Sequence, residues 1–218
     1  FWKPVLERVD QVGVISRTDR ERIVAMGLPP EKVHVQGNSK YDGLAATASV
    51  PLQRGIAARL RMDPAEKVWV VGSTHEGEEK IVLGVYRRLL ETQPDLKLIL
   101  VPRHIERRGR VIALIREAGF SDFITMREIN DGKIRDQERI VLIDVIGELF
   151  KAYSLATVVY CGGSLVPRGG QNILEPAAWG KVVLYGPSME DFQNEKALLE
   201  EAGAGICVTG EEDLYTRL

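Results

Sequence analysis

Short, almost uninterrupted apolar runs constrain this chain more than any other feature. They are Val68-Trp69-Val70-Val71, Leu96-Lys97-Leu98-Ile99-Leu100-Val101, Arg139-Ile140-Val141-Leu142-Ile143-Asp144, Thr157-Val158-Val159-Tyr160 and Val182-Val183-Leu184-Tyr185. Each is rich in β-branched residues, too short for a helix and bounded by glycine, proline or polar residues, so each reads as a buried strand. The segments between them keep a helical period: Ile81, Val82, Val85, Leu89 and Leu90 follow the first run, and an amphipathic stretch from Arg107 to Ala118 follows the second. Strands alternating with helices predict an α/β fold with a Rossmann-like, doubly wound parallel sheet. In such a sheet ligands bind at the loops that follow the strands.

The richest of those loops is Gly162-Gly163-Ser164-Leu165-Val166-Pro167-Arg168-Gly169-Gly170-Gln171-Asn172-Ile173-Leu174-Glu175-Pro176. Its glycines and proline exclude regular structure until about Gln171. Asn172 is a good N-cap, so a helix is expected from Ile173 to Trp179. A strand, a glycine-rich loop and a helix N-terminus make an anion site, because bare N–H groups and the positive helix end point at one spot. Arg168 adds a cation with a bidentate fork. Glu175, in the first helical turn, is placed to accept the hydroxyls of a ribose or simply to complement the helix dipole. The glycines alone serve a ligand-free crossover equally well.

Other strand ends carry further candidates. Gly72-Ser73-Thr74-His75-Glu76-Gly77-Glu78-Glu79 is a second strand–loop–helix anion site, with Ser73 or Thr74 as cap, and Ser73 and His75 are candidate contacts. It has neither the G-x-G-x-x-G spacing of a dinucleotide fold nor the lysine of a Walker A loop. Pro102-Arg103-His104 follows the second run, and Ile146-Gly147-Glu148 follows the third; Gly147 lets backbone approach a flat ligand. The polar run from Glu128 to Glu138 reads as a surface loop. Nearer the start, Val9–Ser16, a helix from Asp19 to Met26 and Val33-His34-Val35 form a β-α-β unit too small to stand alone. Lys40 lies just beyond it.

Charge and composition remove other classes. Lys and Arg number 29 against 31 Asp and Glu, for a net charge of −2. The charges are mixed along the chain, so nucleic acid is not an expected partner. Cys161 and Cys207 sit in strand contexts without metal-ligand spacing and read as free thiols of a cytosolic domain. No apolar run approaches the roughly 20 residues that span a bilayer. The start at Phe1 and the stop at Leu218, inside a helix beginning at Glu211, read as a piece of a longer protein.

Taken together, residues 72–79, 98–104, 146–149 and 162–170, with Asn172-x-Leu174-Glu175 and Gly186-Pro187, resemble bacterial 3-deoxy-D-manno-octulosonic acid (Kdo) transferases. The resemblance runs in order over nearly the whole chain. It implies a GT-B glycosyltransferase, built of two Rossmann-like domains, that moves Kdo from CMP-Kdo to a lipid A precursor in lipopolysaccharide biosynthesis. It also implies that this chain is the C-terminal, donor-binding half. Residues 1–43 would be the end of the acceptor domain and the hinge, and residues 44–218 the CMP-sugar-binding domain. The catalytic carboxylate and a membrane anchor would lie in the other half, placing the full protein at the cytoplasmic face of the inner membrane.

Carried over by position, CMP contacts fall on Pro102 and Arg103, on Ile146, Gly147 and Glu148, and on Asn172, Ile173, Leu174 and Glu175. Lys40 matches a lysine that stabilises the transition state. Ser73, His75, His104, Ser164, Arg168, Gly169, Gly170 and Gln171 complete the expected donor site, with loop N–H groups near the CMP phosphate or the Kdo carboxylate. No cofactor is expected, and a single phosphate calls for no metal. The chain departs from the family pattern at Gln171, where histidine is usual, at Ile173 for proline, at Ile146 for methionine and at Ser188-Met189-Glu190 for His-Thr-Phe. Rival readings are a GT-B enzyme using a nucleoside-diphosphate sugar and a non-catalytic nucleotide-binding module.

Overall fold

The computed structural model describes residues 2–6, 8–41 and 43–218, with Lys40 described by its backbone alone. The chain divides into two compact units, Phe1–Thr47 and Ala48–Leu218. The first contains α1 (Lys3–Leu6), β1 (Val12–Val14), α2 (Arg17–Ala25), β2 (Val33–Val35) and α3 (Leu44–Thr47). Strands β1 and β2 pair in parallel. Helix α2 joins them and is capped by Ser16, whose hydroxyl accepts from Asp19 N at 3.1 Å.

The second unit begins with α4 (Val50–Leu60), β3 (Val68–Thr74), α5 (Glu78–Leu89), β4 (Lys97–Pro102), α6 (Arg108–Glu117), β5 (Phe123–Thr125), α7 (Met126–Asn130) and β6 (Ile140–Leu142). It continues with α8 (Leu149–Tyr153), β7 (Val158–Cys161), α9 (Leu174–Ala177), β8 (Val183–Tyr185), α10 (Gln193–Glu201), β9 (Gly205–Cys207) and α11 (Glu211–Arg217). Its seven strands form one sheet in the order β5-β6-β4-β3-β7-β8-β9. Every neighbouring pair is parallel. The chain builds outward from β3 on the β4 side, then returns to place β7 on the other side of β3. That reversal opens a crevice at the carboxyl edge between β3 and β7.

Period-two alternation explains why the runs are apolar throughout. Val68, Val70, Ile99, Val101, Val141, Val159, Cys161 and Val183 face one core, with Ile56 and Leu60 of α4, Tyr153 of α8 and Leu199 of α10. Trp69, Val71, Leu98, Leu100, Ile140, Leu142, Tyr160 and Leu184 face the other, with the apolar stripes of α5 and α6 and Leu214 of α11. Strands buried on both faces need no polar alternation.

The run 128–138 is not the plain surface loop expected from its polarity. Its start lies in α7, closed by a capping box: Thr125 Oγ1 accepts from Glu128 N at 3.2 Å, and the Glu128 carboxylate accepts from Thr125 N at 2.9 Å. Arg135 within it is buried, because its guanidinium donates to the carbonyls of Leu60, Arg61 and Glu138. Among the described residues no helix is long and apolar enough to cross a membrane.

Candidate functional site

The crevice is shaped by a kink where β3 ends. The β3–β4 register slips between Gly72 and Thr74, and Ser73 sits at φ 56°, a left-handed conformation that costs a non-glycine residue energy. Gly162 lies against this kink; a Cβ there would stand 2.7 Å from Ser73 O. Beyond the kink, the half-buried His75 ring meets His104 edge to face, with centroids 5.4 Å apart. A Cβ on Gly163 would touch both His75 Cδ2, at 3.2 Å, and Gln171 Nε2, at 3.3 Å, so the three residues adjoin. Arg103 follows β4 and its N–H donates to Thr74 O at 3.0 Å. Burial holds the His75 imidazole below its usual pKa; the field of Glu78 opposes this, while His104, Arg168 and Arg107 reinforce it. This favours the neutral imidazole, and its Nε2 is buried without a protein partner.

The glycine-rich loop differs from its expected role. The N–H groups of Gly163, Ser164 and Leu165 are not open to an external anion, because the fully buried Glu78 carboxylate occupies the position. Glu78 accepts from Gly163 N at 2.7 Å, Ser164 N at 3.1 Å and Leu165 N at 3.0 Å. Gly169 N donates to Ser188 Oγ at 3.0 Å, and Gly170 N to Gly163 O at 2.9 Å. The Ser164 hydroxyl also points inward, donating to Cys161 O at 2.6 Å and accepting from Gly186 N at 2.8 Å. Toward a ligand the loop also presents side chains, the exposed Arg168 and the half-buried Gln171.

Capping differs too. Helix α5 starts at Glu78 behind Gly77, with neither Ser73 nor Thr74 as cap; instead Glu78 Oε2 accepts from His75 N at 2.9 Å. Thr74 Oγ1 donates to Glu79 at 3.0 Å. Asn172 is not the N-cap of the following helix. Its Oδ1 accepts from Leu174 N at 3.1 Å, two residues on, and α9 is a single turn starting at Leu174. An Asn side chain that closes a turn on the backbone competes with helix initiation. Asn172 Nδ2 also approaches Glu175 Oε1 at 3.3 Å.

The remaining candidates line a neighbouring part of the same edge. Phe150 of α8 packs against Trp179, just beyond the end of α9, with ring centroids 5.4 Å apart. The turn before α8 follows β6 and the turn before α9 follows β7, both at the carboxyl edge of the sheet. In the first turn Ile146 is 83% exposed, Gly147 takes φ 88°, and Glu148 pairs with Arg59 at 3.0 Å and Lys151 at 3.1 Å. In the second, Ile173 is buried, and Leu174 and Glu175 are half-buried. Pro102 is buried at the end of β4. Lys40 lies in a 3-10 turn, Ser39–Tyr41, in the first unit, and its side chain is outside the described residues. Among the described residues no cluster of three or more His, Cys, Asp or Glu side chains is placed to hold a metal.

Residue-by-residue reading missed Glu78, Arg107 and Arg59. A signal existed for the first: Glu78, Val82, Val85 and Leu89 lie on one helical stripe, and all are buried. A carboxylate in line with a buried stripe requires buried partners.

A family model described as 3-Deoxy-D-manno-octulosonic-acid transferase (kdotransferase) matches residues 1–43. The 3-deoxy-D-manno-octulosonic acid transferase of Haemophilus influenzae is 33% identical over 210 residues, covering 95% of this chain and 48% of that protein. The enzyme of the same name from Aquifex aeolicus is 37% identical over 149 residues, covering 68% and 40%. The chain thus spans less than half the length of these relatives. Among solved structures, the C-terminal CMP-Kdo binding domain of WaaA from Acinetobacter baumannii superposes with a TM-score of 0.67 at 25% identity, over 80% of this chain and 88% of that one. The UDP-GlcNAc 2-epimerase of Methanocaldococcus jannaschii shares the fold alone, with a TM-score of 0.60 at 15% identity over 96% and 55%. By sequence and fold together the chain belongs to the 3-deoxy-D-manno-octulosonic acid transferase family, and its seven-stranded unit is a Rossmann-like domain of the GT-B type.

Proposed function

We propose that this chain is the donor-binding half of a glycosyltransferase that moves Kdo from CMP-Kdo to a lipid A precursor at the cytoplasmic face of the inner membrane. Residues 1–43 are then the end of the acceptor domain with the hinge, and residues 44–218 the donor domain. One observation carries the reading. Arg103, His104, His75, Arg168 and Gln171 gather at the carboxyl edge between β3 and β7, while the turn at Gly147 follows β6 and Glu175 follows β7 at the same edge of the sheet.

In that arrangement the CMP phosphate meets the Arg103 and Arg168 guanidinium groups, and the ribose hydroxyls donate to Glu175. Cytosine lies at the turn of Ile146 and Gly147, where an exposed aliphatic side chain and a glycine leave room for a flat ring. As the glycosidic bond breaks, negative charge grows on the departing CMP phosphate. Fixed cations at that point stabilise the transition state more than the ground state. CMP needs no proton to leave, which suits a neutral His75 that orients the ligand by hydrogen bonding. Lys40 is the further cation in this proposal. The acceptor, and the base that takes its proton, belong to the other half.

Calorimetric titration of CMP into the chain and into Glu175→Ala tests the reading. The substitution should weaken binding by roughly 1–3 kcal/mol, as expected for lost hydrogen bonds to a charged group. Equal affinity of the two proteins, or a preference for UDP over CMP, would defeat it.

A further inference from the structure

Glu78 has no part in that proposal, yet it joins both walls of the crevice. Its carboxylate is fully buried and accepts from His75 N at 2.9 Å, Tyr160 Oη at 2.8 Å, Gly163 N at 2.7 Å, Ser164 N at 3.1 Å and Leu165 N at 3.0 Å. These donors come from the loop after β3, from β7 itself and from the loop after β7. Successive backbone N–H groups converging on one point form a nest of the kind that holds phosphate oxygens. Here an internal carboxylate holds that position.

We infer that Glu78 is a specificity-determining residue: it fills the nest of the β7 loop as an internal anion and so sets the crevice for a ligand carrying one phosphate rather than two. The inference rests on the CMP-sugar reading above. A second phosphate would need donors beyond those that serve the first, and the convergent N–H groups of the nest are the ones built to hold a phosphate's oxygens together. Those at 163–165 are taken by Glu78. Those of Arg168, Gly169 and Gly170 are held by Val166 O, Ser188 Oγ and Gly163 O. Displacing Glu78 would leave a buried carboxylate unpaired, and keeping it would set like charges side by side. One phosphate escapes both penalties, because side chains at the crevice mouth suffice for it.

A purely structural Glu78 would tie the loops together without caring which nucleotide binds. Competition of CMP and CDP for the protein separates the two roles. The wild-type chain should prefer CMP by about tenfold or more, since a like-charge juxtaposition costs affinity. Glu78→Ala should erode that preference by a similar factor, and formate, which can occupy the vacated nest, should restore it. Glu78→Gln keeps the volume, removes the charge, and should erode it too. A folded variant with the wild-type CMP-to-CDP ratio would overturn the proposal. Should neither variant fold, the wild-type ratio decides: CDP binding within tenfold of CMP overturns it. Failure of the wild-type chain to bind CMP at all would remove the donor reading itself, and the proposal with it.

Discussion

Glu79 and Arg107 face each other in a two-pronged ion pair, Nη1 to Oε1 at 2.6 Å and Nη2 to Oε2 at 3.1 Å, with the carboxylate completely buried. The pair fastens the start of α5 to the segment that follows β4, directly behind His75 and His104. The guanidinium pKa is raised, first by the hydrogen bonds to Glu79. Truncating one partner of a buried pair strands the other charge. Arg107→Ala should therefore cost about 3–5 kcal/mol in urea unfolding. The double variant Glu79→Leu/Arg107→Ala should recover a large part of that loss. A single variant within 1 kcal/mol of wild type, on that same scale, would contradict the stranded-charge account.

His75 should make stability depend on pH near neutrality. Burial lowers its pKa in the folded chain below the ordinary 6.5. Between the folded value and 6.5 the unfolded chain binds more protons. Stability from this group is thus complete above pH 6.5 and falls as the pH drops toward the folded value. Denaturant midpoints at about pH 7.5 and about pH 5.5 should fall less in His75→Gln than in wild type. Identical slopes would mean that other groups account for the dependence.

Two glycines should respond in opposite directions to alanine. At Gly162 the new Cβ would stand 2.7 Å from both Ser73 O and Thr74 Cα, which are backbone atoms that cannot swing away. Gly162→Ala should destabilise by about 1–3 kcal/mol and weaken CMP binding, since it pushes the two crevice loops apart. Gly55 lies exposed inside α4, with open space where a Cβ would go. Gly55→Ala should stabilise by up to about 1 kcal/mol through helix propensity. Thermal melts of the pair provide the comparison.

The capping box of α7 gives a prediction remote from the site. Thr125→Ala removes the hydroxyl that accepts from Glu128 N and should cost about 1 kcal/mol. The hydrogen bond from Thr125 N holds the Glu128 carboxyl below its ordinary 4.5. Its stabilisation is present above pH 4.5 and lost as the pH falls through the folded value. Glu128→Gln should flatten the acid limb of the stability profile, which unfolding curves between about pH 5 and pH 3 would reveal.

The fold was legible in the sequence because burial on both faces leaves a local mark: continuous β-branched runs at Val68–Val71, Leu98–Val101 and Val159–Tyr160. The positions of candidate loops followed from the same logic, since α/β sheets present ligands to the carboxyl ends of strands. Elsewhere a local reading misled. Asn172 has the chemistry of an N-cap but closes a turn on Leu174, and the polar run after Thr125 hides a capped helix and the buried Arg135.

By itself, then, the sequence determined the alternation of strand and helix, the strand-end loops that carry Arg103, Arg168 and Glu175, and the family to which they correspond. Only the tertiary structure decided what those loops hold. Glu78 and Gly163 are separated by 85 positions and meet because β3 and β7 are neighbours in the sheet. Strand order is a property of chain return, not of any local pattern, so a loop that reads as an open cradle is closed by a carboxylate from across the switch point. Hydrogen-bond donors attract whichever anion the fold brings to them, and here the fold brings its own.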